Sequence, residues 1–490
     1  MPPAHDVVVV GAGSAGCALA HRLSADPACR VLLLEAGGAD DRPAIRTPSA
    51  YFSLWGSDVD WAYGSVPQPG TAGRSHAMPR GRVLGGTSSL NGMVWLRGAR
   101  SDYDRWAALG CAGWGWDDVR PAFEALEAWL RPAYLSPHNP LSAAMVAAGA
   151  EAGLGGNPDF DRGTLDGSGW NRSTIRDGER VNSHRAFVEP VRDRPNLTVR
   201  TGAHVVGLAF GDGRVTGVRV RDAGGTVETI GAGETVLSAG MFESPRLLLR
   251  SGIGPAPHLE RVGVRPMADL PVGEGLVDHL LIGVVYDATR PVPTLHAYCT
   301  EGCAFARSTP GQACDIEISY AKEPHFAPEN DDGRPRYTII PGITRPKSRG
   351  VVRLTGPGAD DPLLIDPRYL SHPDDMATML RAVRLTREIG AQPALADWNA
   401  GEHFPGPGVE GDAEIADYVR QGVSTWFHPV GTCRMGVGPE SVVGPDLRVH
   451  GVPGLRVADA SVMPEIVSVN TNAAATMIGW RAGEIVAAGG

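Results

Sequence analysis

Two short stretches of this chain carry residue types at spacings that could do chemistry. In "STWFHPVGTCRMG", Ser424 to Gly436, His428 lies between two aromatics and a proline, with Cys433 and Arg434 close behind. An imidazole with an ordinary pKa of about 6.5 can take or give a proton near neutral pH. Two plainer readings compete: a metal ligand paired with Cys433, and an ordinary packed histidine. No third or fourth ligand shares the segment, which weakens the metal reading. In "HDVVVVGAGSAGCALAHRLSAD", Gly11, Gly13 and Gly16 stand in GxGxxG spacing. Gly11 permits a tight turn, Gly13 admits a pyrophosphate to the backbone, and Gly16 lets a helix pack on a strand. Glu35 follows 19 positions after Gly16, where a carboxylate accepts hydrogen bonds from ribose hydroxyls.

The elements around these residues must hold them in place. Val7–Val10 is a β-branched run fit for a strand buried on both faces. "CALAHRLSAD" carries Leu19 and Leu23 at helical spacing, and "RVLLLEAG" reads as the next strand. The helix N-terminus offers N–H groups and a partial positive charge to phosphates. Such a start fits a nicotinamide dehydrogenase, and it fits a flavoprotein holding the ADP half of FAD. Farther on, "RVTGVRVRDAGGTVETIGAGETVLSAG" alternates apolar and polar residues around Gly-rich turns, which predicts hairpins leading to a buried strand. "DDMATMLRAVRLTREIGA" has an Asp-rich start and places Met379, Ala382, Val383 and Ile389 near helical spacing, so it predicts an amphipathic helix. "DAEIADYVRQG" predicts a shorter helix that ends in Gly.

Bulk properties narrow the classes. With 490 residues the chain can form roughly two or three packed units. Its apolar fraction of 42% is that of a soluble globular protein. Gly 64 and Pro 40 point to many turns, without a Gly-X-Y period or a low-complexity tract. A net charge of −10, from 45 basic and 55 acidic residues, argues against DNA or RNA as a partner. Cys17, Cys29, Cys111, Cys299, Cys303, Cys314 and Cys433 form an odd, scattered set and not a disulfide framework. No run reaches the roughly 18 apolar residues of a membrane span, and the N-terminus lacks a signal-type pattern. A cytoplasmic protein without a membrane span or a metal site is the expectation.

"PRGRVLGGTSSLNGMVWLRGARSDYDRW" is rich in Gly, Ser and Asn, yet Val83, Leu84, Leu90, Met93, Val94 and Trp95 are too apolar for a solvated loop. The segment resembles the first signature of the glucose–methanol–choline (GMC) oxidoreductase family, at Gly81, Arg82, Gly85, Gly86, Thr87, Ser88, Asn91, Trp95 and Asp104. "SAGMFESPRLLLRSGIG" resembles the second, at Gly240, Ser244, Pro245, Leu247, Leu248, Ser251, Gly252, Ile253 and Gly254; Met241 departs from the small residue found there. "GVPGLRVADASVMP" resembles the family's late flavin-contacting strand, with Asp459 in place. The similarity runs from Asp6 to Ile485.

The resemblance implies an α/β (α+β) fold: a Rossmann-type FAD-binding domain with an inserted antiparallel-sheet substrate domain. The FAD domain would be discontinuous, over residues 1–135, 185–275 and 426–490, and the substrate domain would take 136–184 and 276–425. Gly11, Gly13, Ser14, Ala15, Gly16, Glu35 and Ala36 would hold the ADP moiety, with Trp61 and Val205 near the adenine. Arg82, Gly86, Asn91, Gly92, Met93, Val94, Phe427 and Thr471 would line the flavin, and Asp459 and Ala460 would meet the ribityl chain and pyrophosphate. Leu90 stands where some relatives carry a flavin-linking histidine, so FAD is expected to be non-covalent.

The same resemblance implies that His428 is the base and that Asn470 donates to the substrate oxygen. The expected reaction is oxidation of an alcohol to aldehyde or ketone, with hydride passing to flavin N5. Oxygen, or a quinone or other redox carrier, would take the electrons onward. The alternative on this scaffold is hydroxynitrile-lyase-like cleavage with FAD as structure. The helix after Asn470 would point its positive end at the flavin, with Asn472 as its cap. The 128–181 region departs from the family pattern, which bears on access to the site. Residues 283–337, including His296 and Tyr298, form the expected substrate wall.

Overall fold

The computed structural model describes residues 5–295, 300–325 and 332–489. Its centre is a seven-stranded sheet. Five of the strands run parallel, in the order Leu197–Arg200, Val31–Leu34, His5–Val10, Val227–Leu237 and Leu455–Val457. The unbroken Val and Leu runs follow from this placement, because a central parallel strand is covered on both faces. Val8 and Val9 are fully buried. Each such side chain contributes about 1.5–3 kcal/mol relative to exposure.

The strand Val227–Leu237 belongs to two pairings. Its first half pairs antiparallel with Arg214–Arg221, which pairs with His204–Gly211, so the predicted hairpins form. Its second half runs parallel to His5–Val10. Helix Ser14–Leu23 follows the first strand, and helix Asn472–Ala487 packs against it. The approach is too close for side chains. A Cβ on Gly479 would lie 2.1 Å from the Ala15 carbonyl oxygen, and one on Gly16 would lie 1.9 Å from that of Gly11.

A second, antiparallel sheet runs Asn399–Phe404, Val284–Ala288, Arg336–Ile343, Ile316–Ala321, Thr300–Ala306 and Gly167–Trp170. The short strand Leu280–Leu281 joins Arg336–Ile343 to Ser424–Thr425. That pairing fixes the residues just before His428. Helix Pro373–Gly390 packs on the sheet and buries Met379, Ala382, Val383 and Ile389. Its start has a physical cause: Pro373 opens the helix, Asp374 and Asp375 fill the first turn, and the His372 ring accepts the Asp374 N–H at 3.2 Å. Helix Asp412–Gly422 begins with the Glu414 carboxylate accepting the Gly411 N–H at 2.9 Å.

The fold is therefore α/β, a Rossmann-type unit joined to an antiparallel sheet. One face of the second sheet looks across a cavity toward the carboxyl ends of the parallel strands. Open α/β sheets bind their ligands in that crevice. His296 and Tyr298, expected in the substrate wall, and Cys299 lie outside the described residues. No described helix is long and apolar enough to cross a membrane.

Candidate active site

The cavity begins where His5–Val10 and Val31–Leu34 end. Gly11, with φ +99°, turns the chain, and Gly13, Ser14 and Ala15 form the wall beyond it. Helix Ser14–Leu23 has no side-chain cap at Gly13. Its first N–H groups therefore stay open to an anion. Gly86 approaches from the opposite side, and a Cβ there would lie 2.6 Å from the Gly13 Cα. The two glycine stretches make a cradle that side chains would fill. Glu35 and Ala36 lie beside it. Glu35 accepts the N–H of Ala12 at 3.0 Å and of Gly37 at 2.9 Å, and burial pushes its carboxyl up to about 7. Trp61 and Val205 line the same cavity, with a register shift between Val205 and Gly207 opening the strand edge there. An open helix end, a glycine cradle and a buried acid fit a dinucleotide.

Two expected residues do not line the cavity, Gly16 and the exposed Arg82. Gly16 is packed under Gly11, and the Arg82 guanidinium carbon lies 5.0 Å from the centre of the Trp61 ring. Asp459 and Ala460 line the cavity. The Asp459 carboxylate accepts from the Gly240 N–H at 2.8 Å, the Ser244 hydroxyl at 2.6 Å, and the Ser461 N–H and hydroxyl at 2.8 and 2.5 Å. It locks helix Gly240–Arg250 to the turn at Ala460 and so shapes the wall. The expectation that Asn472 caps the last helix is corrected. Thr471 occupies the cap position without a side-chain bond, and the Asn472 Oδ1 instead accepts the Ser14 hydroxyl at 2.7 Å. This helix end also stays open to the cavity.

Asn91, Gly92, Met93 and Val94 line the stretch nearer His428. Met93 has φ +59°, and the Asn91 Oδ1 accepts its N–H at 3.1 Å. Arg180 braces this loop from within the protein. It donates to the Asn91 carbonyl at 2.7 Å, the Asn91 Oδ1 at 2.8 Å and the Ser88 carbonyl at 3.1 Å. Leu90 packs with Ile45, Leu54, Val59 and Val83.

His428 sits on a strained turn. Phe427 has φ +63°, which costs a non-glycine residue about 1–3 kcal/mol. Three contacts hold it. The Thr425 hydroxyl accepts the Phe427 N–H at 2.7 Å, the Arg80 guanidinium donates to the Phe427 carbonyl at 2.8 Å, and the Asp278 carboxylate accepts the His428 N–H at 2.9 Å. Asp278 also accepts from Tyr369 at 2.6 Å and from Thr425 at 2.5 Å. The Trp426 ring stacks beside the imidazole, 6.0 Å between centroids and 13° between planes.

The imidazole lies in a directed chain. The His279 Nε2 is 2.9 Å from the Thr344 carbonyl, which can only accept, so that nitrogen carries the proton. Burial holds His279 down at about 3, hence neutral, against the pull of the Thr344 and Val467 carbonyls; with the proton on Nε2, its Nδ1 is an acceptor. The His428 Nδ1 lies 3.0 Å away and must donate to it. The His428 Nε2 is then a lone pair, 3.1 Å from the Asn470 amide nitrogen. Burial, then His279, then Arg80 hold the His428 imidazolium well below its ordinary range. The Asn470 Oδ1 is buried without a hydrogen-bond partner among the described residues. His279 was not legible as a site residue. Its signal was an Asp-His pair inside the apolar run Leu276–Ile282. Cys433 is fully buried, and burial pushes its thiol far up.

Known proteins place this geometry in a family. Profiles described as GMC oxidoreductase match residues 5–281 and 346–479. An alcohol dehydrogenase [acceptor] of Pseudomonas putida is 38% identical, over 98% of this chain and 95% of that protein. An oxygen-dependent choline dehydrogenase of Rhizobium etli is 36% identical over the same shares of the two chains, 98% and 95%. Among solved structures, pyridoxine 4-oxidase from Mesorbium loti superposes with a TM-score of 0.91 at 37% identity, covering 98% of each chain. A formate oxidase superposes with a TM-score of 0.88 at 26% identity, covering 99% of this chain and 98% of the other. The cradle, the imidazole chain and these matches lead to one conclusion: the chain belongs to the GMC oxidoreductase family.

Proposed function

We propose that this FAD-dependent enzyme oxidises a small-molecule alcohol to an aldehyde or ketone, with His428 accepting the hydroxyl proton. Bound FAD supplies the acceptor for hydride leaving the carbinol carbon, at N5. The observation that carries the reading is the unprotonated His428 Nε2, whose lone pair the His279–Thr344 chain holds facing the Asn470 amide. An alcohol hydroxyl can take the place of the Asn470 N–H on that nitrogen, and the displaced Asn470 amide can donate to the same oxygen. A positioned base contributes roughly 10²–10⁴-fold to such a step. Trp426 and Phe427 wall the site against water. Relatives named for alcohol and for choline support a CH–OH donor. The cofactor would be held by residues 1–135, 185–275 and 426–490, and the substrate wall would come from 136–184 and 276–425.

The electron acceptor is oxygen, or a quinone or other redox carrier. A screen of primary alcohols under air and with an artificial acceptor tests the reading, with peroxide and dye reduction followed together. Turnover in either arm supports it. Silence in both arms, with cyanohydrin cleavage present, would replace oxidation by the lyase reaction.

FAD is held without a covalent bond in this reading, because the buried Leu90 offers no nucleophile. Acid precipitation should leave all the flavin in the supernatant; yellow protein in the pellet would overturn this.

The buried imidazoles predict a pH response. His428 is neutral before it meets substrate, so kcat/KM for flavin reduction should show no acid limb near about 6.5. Stability has the matching sign. Below about 6.5 the unfolded chain protonates His279 and His428 while the fold keeps both neutral, so the unfolded state binds more protons. Their contribution is fully present above that pH and is lost as pH falls toward about 3, the folded value of His279. Thermal melts in this window should show Tm falling with pH, and less steeply for His279→Leu.

A further inference from the structure

On the strand Ile316–Ala321 the side chains alternate. Ile316, Ile318 and Tyr320 pack into the core under helix Pro373–Gly390, while Ala321 joins Leu281, Ile340 and Trp426 on the cavity side. Glu317 and Ser319 share that second face. Ser319 lines the cavity together with the apolar Leu281, Ile340 and Trp426 and the polar Thr300 and His325. The Ser319 hydroxyl lies 3.1 Å from the Glu317 Oε1. Glu317 is 1% exposed, and its Oε2 has no hydrogen-bond partner among the described residues. A buried polar atom left unpaired is costly, by about 1–3 kcal/mol. Neither group is used in the proton transfer described above.

Trp426 relates this pair to the base. In register, Glu317 stands opposite Gly342, and a Cβ on Gly342 would lie 2.2 Å from the Trp426 ring. The same ring stacks beside His428. His428, Trp426 and Ser319 line one cavity, so a molecule held at His428 and lying along Trp426 can present its far end to the Ser319–Glu317 pair.

We propose that Ser319, backed by Glu317, is a second recognition point in the cavity, and that the preferred substrates are alcohols carrying a second hydroxyl remote from His428. This rests on the alcohol-oxidation reading. Burial pushes the Glu317 carboxyl up to about 8, so at neutral pH it can accept from Ser319 or donate to it. In the first case Ser319 presents a lone pair to the cavity, and in the second an O–H. A hydroxyl answers both. A methyl group answers neither and leaves the cavity side of the Ser319 hydroxyl desolvated and unmatched.

Dithionite-reduced holoenzyme cannot oxidise alcohols, so it reports binding alone. Calorimetric titration would compare butanol with 1,4-butanediol, hexanol with 1,6-hexanediol, and benzyl alcohol with the benzenedimethanols. At least one diol should bind about tenfold more tightly than its partner, the value of one good hydrogen bond. Ser319→Ala should erase that difference, with the mono-alcohol bound no more weakly than before. Should that variant lose FAD, Ser319→Cys keeps the volume with a weak acceptor, and the preference must still fall. Equal binding in every pair, or a preference that survives loss of the hydroxyl, would overturn the proposal. Failure of the parent reading looks different: the diol preference would persist in binding while no alcohol reduces the oxidised flavin.

Discussion

Replacing His428 by alanine should slow flavin reduction by alcohol roughly 10²–10⁴-fold while FAD stays bound. The size follows from losing a positioned base. The retention follows from the structure. The turn at Phe427 is held through its backbone by Thr425, Arg80 and Asp278, none of which touches the imidazole to do so. The glycine cradle and the Arg180-braced loop are built from other segments. Anaerobic stopped-flow mixing reads the rate, and the flavin absorbance of the purified variant reads occupancy. Unchanged reduction kinetics would remove His428 from the chemistry.

The second large effect is expected at a residue that touches neither cradle nor substrate side. His279→Leu leaves the His428 Nδ1–H without its acceptor. The ring can then place its proton on either nitrogen or rotate, and the lone pair no longer faces Asn470. Disturbing the group that orients a base costs catalysis on the order of 10²–10⁴-fold. His279→Asn, whose side-chain carbonyl can accept, should recover part of the rate. A purely structural role for His279 predicts a different pattern: lowered Tm in both variants, with the reduction rate of the folded fraction unchanged.

The cofactor end of the site was legible because local backbone demands wrote it into the chain. Gly11 needs φ +99°, and Gly16 leaves 1.9 Å for a Cβ above the Gly11 carbonyl, so only glycine fits this spacing. Helices Pro373–Gly390 and Asp412–Gly422 announced themselves through apolar period and first-turn acids. The long-range partners were not legible. His279 meets His428 across 149 residues, and Arg180 reaches Asn91 across 89. Nothing in either local pattern encodes such a meeting. Asn472 shows the same limit from the other side. Its local pattern reads as a helix cap, but a hydroxyl 458 residues away takes its side chain. Gly16 and Arg82 fell just outside the cavity for a related reason: spacing gives the neighbourhood of a residue, and packing decides which face meets the ligand.

The most direct test of the central claim is anaerobic mixing of the oxidised holoenzyme with a panel of primary alcohols, each in protiated and α-deuterated form. The account predicts that at least one alcohol bleaches the flavin band, that deuterium at the carbinol carbon slows the bleaching, and that His428→Ala slows it by orders of magnitude. An unbleached flavin with every alcohol in the panel would contradict it.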